Sequence, residues 1–245
     1  MRVLVGGGTG FIGKVLAQLL RGRGHEVTLV SRQPGPGRIT WDELAASGLP
    51  ECDAAVNLAG ENILNPLRRW NEAFQKEVLS SRLETTQMLA KAIMKAPQPP
   101  QAWVLVTGVG VVLGRGGGAI SHMLLPFRLG LGGPIGSGHQ FFPWIHIGDL
   151  AGILTHALEA NHVQGVLNGV APASATNAEF AQALGTALGR PALIPLPSTV
   201  VQAVFGRERA IMLLEGQKVI PRRTLATGYQ YAFPELGPAL KEVVS

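Results

Sequence analysis

Residues 2–20 read RVLVGGGTGFIGKVLAQLL, and this stretch decides the fold. Arg2–Val5 has the character of a short apolar strand. From Phe11 to Leu20 the residues Ile12, Val15, Leu16, Leu19 and Leu20 recur at the spacing of one buried helix face. Between strand and helix, GGTGFIG (7–13) sets glycines at 7, 10 and 13. Each has a physical task if a pyrophosphate lies over the turn. Gly7 permits the tight turn, Gly10 lets the backbone approach the phosphates, and Gly13 lets helix and strand pack closely. The helix start, with Phe11 and Ile12 beside Gly13, offers free N–H groups and the positive end of the helix dipole. A glycine-rich turn without a ligand is the alternative. Its place at the first strand–helix junction favours the phosphate reading.

Working outward, Glu26–Val30 is a second strand and Pro34-Gly35-Pro36-Gly37 a turn. Arg38–Trp41 and Ala54–Leu58 read as strands, and 65–96 as helix with a bend at Ser80-Ser81. Val104–Val106 is the next strand. This β-α-β-β-α-β order predicts an α/β fold, a Rossmann doubly wound parallel sheet. Further on, the pattern predicts helices over 120–129, 149–158, 177–188, 198–216 and 235–244, with Asp149 and Asn177 as caps. It also predicts a strand over 166–168 and a flexible loop, GLGGPIGSG, over 130–138. The expected division is a nucleotide-binding Rossmann domain with substrate-side insertions over 1–190, then a helical C-terminal part of a small substrate lobe over 191–245.

Composition narrows the classes of function. With 46% hydrophobic and 15% charged residues, the chain can bury a sizeable core and is not of a disordered type. The net charge is +5, yet Arg68-Arg69 and Arg222-Arg223 are the only basic pairs. A phosphate-bearing small ligand suits this better than nucleic acid, which is not expected as a partner. The single Cys52 excludes an internal disulfide. No apolar run reaches membrane-spanning length, and no metal-ligand cluster or leader segment is evident, so the cytosol is the default expectation.

The second strand ends in Ser31-Arg32. A site for NAD usually places a carboxylate there to hold the ribose 2′-OH, whereas an Arg accommodates a 2′-phosphate. The cofactor expected is therefore NADP. The strand ending Asn57-Leu58-Ala59-Gly60 suits the crevice at the carboxyl ends of the strands.

Several stretches together resemble a known family: VGGGTGFIG (5–13), VSR (30–32), VNLAGENI (56–63), SRLETTQMLAKAI (81–93), LPFRLGLGGPIGSGHQFFPWIHIGDL (125–150) and NAEFAQALG (177–185). They look like the extended, atypical short-chain dehydrogenase/reductases called epimerase family proteins, the animal branch in particular. The resemblance implies hydride transfer with NADP(H) at a carbonyl or hydroxyl carbon of a small molecule, and leaves room for a homodimer. It implies that Gly7, Gly10, Phe11, Ile12 and Gly13 bind the pyrophosphate. Ser31 and Arg32 would take the adenosine ribose and its 2′-phosphate, and Leu58 and Ala59 would flank adenine and ribose. Arg82 stands where extended members often carry a cofactor-contacting Asn; the other reading is a solvated helix-surface Arg. Thr107 falls where the active-site Ser/Thr region begins. Gln140, Trp144 and His146 fall in the substrate-side segment, although a packed Trp and a hydrogen-bonded structural His are the plainer readings.

One departure stands out. Reductases of this superfamily use a Tyr with a Lys four residues later, on one helix face. The ammonium favours tyrosinate, and the Tyr exchanges a proton with the substrate oxygen. Here the two tyrosines are Tyr229, followed four on by Phe233, and Tyr231, followed by Glu235. Moreover VLVTGVGVVLG (104–114) joins two strand-like runs through Thr107-Gly108-Val109-Gly110 alone. A parallel crossover needs a dozen or more residues. Either 104–113 is one continuous strand or one of the two runs is lost from the sheet. About one strand–helix unit, on the order of 30–45 residues, is missing. Exposed apolar surface and an open sheet edge are the expected consequences. The alternatives to an enzyme are a catalytically silent NADP-binding sensor or scaffold, and a nonproductive, less stable variant.

Overall fold

Strand β1 (Arg2–Gly6) is buried along nearly its whole length, as a central parallel strand must be. The computed structural model describes residues 1–65 and 67–245. After β1 come α1 (Phe11–Gly22), β2 (Glu26–Ser31), β3 (Arg38–Thr40), α2 (Trp41–Ser47), β4 (Ala54–Asn57), α3 (Glu72–Lys95) and β5 (Ala102–Leu105). The five strands form a parallel sheet in the order β3-β2-β1-β4-β5. Val5 stands opposite Leu29 on one side and Val56 on the other, so β1, β2 and β4 end level with one another. Helix α1 buries Gly13, Leu16, Ala17 and Leu20, the predicted stripe shifted by one position. Leu4, Val30, Trp41, Leu44, Ala55 and Leu89 make the core here. Helix α3 runs unbroken through the expected bend. Ser80 and Ser81 donate to the carbonyls of Glu77 and Val78 in the preceding turn, which absorbs both hydroxyls within the helix.

The rest of the chain supplies β6 (Val111–Leu113), α4 (Gly118–Arg128), β7 (Trp144–His146), α5 (Ile147–Glu159), α6 (Asn177–Leu188), α7 (Ser198–Phe205), α8 (Arg207–Leu214), α9 (Arg222–Ala226) and α10 (Leu236–Val244). β6 pairs in parallel with β7, in a two-stranded sheet of its own. Of the two readings of 104–114, the structure adopts the second: Val111–Leu113 leaves the five-stranded sheet. A four-residue link cannot return the chain to the start of a neighbouring parallel strand. β5 is consequently an edge strand, as β3 is on the other side, and Trp103 and Leu105 on one face of β5 are 41% and 42% exposed.

Two compact units result. Unit 1 comprises 1–62, 72–107 and 151–165; unit 2 comprises 63–71, 108–150 and 166–245. The chain passes between them several times, which differs from the single boundary expected at 190. Unit 2 packs Leu113, Ile120, Phe127, Trp144, Phe180, Leu184 and Leu240 into its own core.

Four local expectations in unit 2 are corrected. Asp149 lies within the first turn of α5, and its carboxylate accepts from the backbone N–H of Ala232 and Phe233 and from the Tyr229 hydroxyl. Thr176, not Asn177, caps α6, in a capping box with Glu179. Residues 166–168 form no strand; the Asn168 backbone carbonyl accepts from the Thr224 hydroxyl, and its side-chain amide donates to the Ile220 carbonyl. The 130–138 loop is pinned: Ile135 N–H donates to Asn177 Oδ1, Gln140 Nε2 donates to the Ile135 carbonyl, and Gly136 N–H donates to the Leu196 carbonyl.

Candidate functional site

The glycine turn in unit 1 is built from backbone that tolerates no side chains at two of its three positions. Gly7 has φ +72°, and a Cβ there would lie 2.8 Å from the Ala59 nitrogen. A Cβ on Gly13 would lie 2.3 Å from the Gly7 carbonyl oxygen and 2.6 Å from Gly8 Cα. Gly10 differs. Its absent Cβ meets only the Gly7 carbonyl oxygen, at 3.2 Å, so the space in front of it is otherwise open. Gly10 is also the N-cap of α1, with no side-chain cap and no acidic residue in the first turn. The N–H groups of Phe11, Ile12 and Gly13 have no carbonyl four residues back within the helix, so they face outward with the positive dipole end. These features fit a pyrophosphate.

The strand ends converge on this turn. Gly7 N–H donates to the Val30 carbonyl at 2.9 Å, and Leu58 N–H to the Gly6 carbonyl at 2.9 Å. Asn57, buried at the end of β4, shapes the next turn. Its Oδ1 accepts from Ala59 N–H, and its Nδ2 donates to Thr86 Oγ1 on α3. Ser31 is buried and closes a local turn with the Gln33 backbone. Arg32 projects from the end of β2, with a side chain 86% exposed and Nη1 4.0 Å from Glu61 Oε2. Arg82 is half-buried and donates to the Val78 carbonyl, and its guanidinium comes within 3.1 Å of where a Gly60 Cβ would stand. It therefore lies against the strand end and not free on the helix surface. Gly7, Gly10, Phe11, Ile12, Gly13, Ser31, Arg32, Leu58, Ala59 and Arg82 thus all belong to unit 1, around the ends of β1, β2 and β4. The sequence marked Asn57 only as part of a strand end and Ser81 only as a bend, and gave neither of them, nor Glu61, a role in the site. Ser81 accepts from Glu61 N–H at 2.9 Å, a link between residues 20 apart that no local spacing reveals.

The residues expected on the substrate side are divided between the units, Thr107 in unit 1 and Gln140, Trp144 and His146 in unit 2. Thr107 is exposed beyond the end of β5. Trp144 is buried and donates Nε1–H to the Ala173 carbonyl. His146 has both ring nitrogens engaged: Gly148 N–H donates to Nδ1, and Nε2 lies 3.0 Å from Glu242 Oε2. Gln140 spends Nε2 on the carbonyls of Ile135 and Leu213, leaving Oε1 as a buried acceptor without a protein partner.

Neither tyrosine is arranged for proton exchange. Tyr229 donates to Asp149, and Tyr231 donates to the Val170 carbonyl at 2.9 Å. Burial first, then the Asp149 charge, raises the Tyr229 hydroxyl far above its ordinary value, and burial pushes Tyr231 up to about 12. A proton-transfer tyrosine needs the opposite shift. Among the described residues no metal-ligating cluster occurs, and no helix is long and apolar enough to cross a membrane.

Comparison with known proteins agrees with this geometry. Residues 3–108 match the model of the NAD dependent epimerase/dehydratase family, and residues 196–243 match a domain of unknown function, DUF1731. The chain is 74% identical to the human epimerase family protein SDR39U1 over 293 aligned positions, covering the whole of both chains. It is 31% identical to the chloroplastic SDR39U1 homolog of Arabidopsis thaliana, covering all of this chain and 87% of that one. The crystal structure of human SDR39U1 (isoform 2) with NADPH superposes with a TM-score of 0.98 at 74% identity, covering 99% of each chain. The human alignment has 293 positions and this chain 245 residues, so 48 positions (293 minus 245) hold no residue of this chain. That is close to the length of the strand–helix unit expected from the sequence to be absent, about 30–45 residues.

Proposed function

The chain belongs to the epimerase family, and from that premise we propose that it is an NADP(H)-dependent oxidoreductase acting at a carbonyl or hydroxyl carbon of a small molecule. The observation that carries the cofactor is the open space before Gly10, combined with Arg32 and the absence of a carboxylate at the end of β2. NADPH in the crystal structure of the human relative supports the same choice. Phe11, Ile12 and Gly13 donate backbone N–H groups to the pyrophosphate. Arg32 meets the 2′-phosphate, while Leu58 and Ala59 form the wall beside adenine and ribose. Arg82 adds a cation near the Gly60 end of the crevice. Bound NADPH supplies the hydride. On the substrate side, Thr107, exposed just past the end of β5, is the catalytic candidate.

A second reading, a catalytically silent NADP(H)-binding sensor or scaffold, is favoured by one observation. Both tyrosines are tied to partners that raise their pKa, and neither has a Lys four residues on. One experiment separates the two. The chain is incubated with NADPH and a panel of carbonyl compounds, alongside a Gly10→Asp variant. Oxidation of NADPH by the parent chain but not the variant supports the oxidoreductase. Equal activity in both removes the assigned site, and tight NADPH binding without turnover selects the silent binder.

A further inference from the structure

The loop that follows β4 brings a carboxylate to the Arg at the end of β2. Glu61, just past β4, has a side chain only 20% exposed and an Oε2 that is 4.0 Å from Arg32 Nη1. Its place is built rather than incidental. Its backbone N–H donates to Ser81 Oγ at 2.9 Å, and Ser81 in turn donates to the Val78 carbonyl at 2.9 Å, so α3 latches the residue. Among the described residues, Glu61 is the acidic group paired with Arg32.

We infer that Glu61 is a specificity-determining residue which moderates the preference for NADP(H) over NAD(H). The inference rests on the cofactor reading above. A shielded carboxylate beside Arg32 has two effects on an incoming adenosine ribose. It accepts a hydrogen bond from a free 2′-OH, the task a β2-end acid performs in NAD sites. It also repels a 2′-phosphate and competes with that phosphate for the guanidinium. The 2′-phosphate must therefore draw Arg32 away from Glu61, whereas a 2′-OH leaves the pair in place. The site combines the Arg of one cofactor class with an acid that serves the other.

The test is titration of the whole chain with NADPH and with NADH, comparing the parent with Glu61→Gln, Glu61→Asp and Arg32→Ala. Removing the negative charge beside Arg32 is expected to raise the NADPH-over-NADH affinity ratio about three- to tenfold at low salt, and less at high salt. Glu61→Asp keeps the charge, and its ratio is expected within about twofold of the parent. Arg32→Ala is expected to lower the ratio. If Glu61→Gln leaves the ratio unchanged or lowers it while the parent binds NADPH, the inference is overturned and the cofactor reading stands. If the parent binds neither nucleotide, the cofactor reading fails and takes the inference with it.

Discussion

The three glycines of the turn make separable demands, and alanine at two of them tests the difference. At Gly13 a methyl would sit 2.3 Å from the Gly7 carbonyl oxygen and 2.6 Å from Gly8 Cα. These are backbone atoms and cannot swing aside. Relief means prying α1 from β1, so the cost is at the upper end of overpacking, about 3 kcal/mol. In a chain of this length that lowers Tm by about 6–12 °C. At Gly10 the one neighbour among the described residues is the Gly7 carbonyl oxygen, at 3.2 Å, and φ −74°, ψ 178° suits alanine. Alanine is a poorer N-cap by roughly 0.5–1 kcal/mol, and a stiffer unfolded chain returns about the same. Gly10→Ala should therefore melt within about 2 °C of the parent. NADPH at a hundred times its Kd should stabilise the parent by about 2.7 kcal/mol, or roughly 5–11 °C. Gly10→Ala should lose most of that increment, because its methyl occupies the space a pyrophosphate needs. The assay is thermal melting with and without NADPH. A Gly10→Ala protein that keeps the full NADPH shift, or a Gly13→Ala protein that melts like the parent, refutes this account of the turn.

Three further outcomes are expected. Asp149→Ala strips the acceptor from two backbone N–H groups and the Tyr229 hydroxyl, and should cost about 2–4 kcal/mol in denaturant unfolding; a loss under about 0.5 kcal/mol would show that the buried carboxylate is dispensable. Tyr231 is pushed up to about 12 in the folded chain, against about 10 when unfolded. The folded state then holds the proton more tightly, so this stabilisation is complete below about pH 10 and is lost as pH rises towards 12; ultraviolet titration showing native tyrosinate near pH 10 would contradict it. Trp103→Gln, on the uncovered face of β5, should change stability by less than about 0.5 kcal/mol and reduce aggregation on warming. A cost near that of a buried Trp, about 3 kcal/mol or more, would mean that the face is covered.

Much of the nucleotide unit was legible because its requirements are local. A strand, three glycines at fixed spacing and a helix stripe lie within 19 residues, and each constrains the backbone of its own neighbours. The helix α3 and strands β2 to β5 followed from the same kind of pattern. Unit 2 was less legible. Its caps, its pinned glycine loop and the false strand at 166–168 depend on side chains that choose distant partners, such as Asn177 for Ile135 and Asn168 for Ile220.

The sequence by itself determined the glycine turn between strand and helix, the Arg in place of a carboxylate after β2, the lack of a Tyr–Lys pair and the impossibility of a four-residue parallel crossover. All four are statements about neighbouring residues or chain reach. Only the tertiary structure decided which run the short link expels, setting Val111–Leu113 beside Trp144–His146 and leaving β5 at the edge. It alone brought Glu61 to Arg32 and turned Asp149 from a cap into an anchor for Ala232, 83 residues away. Such pairings are set by which strands share hydrogen bonds and which buried polar groups must find partners, and chain distance carries no record of either.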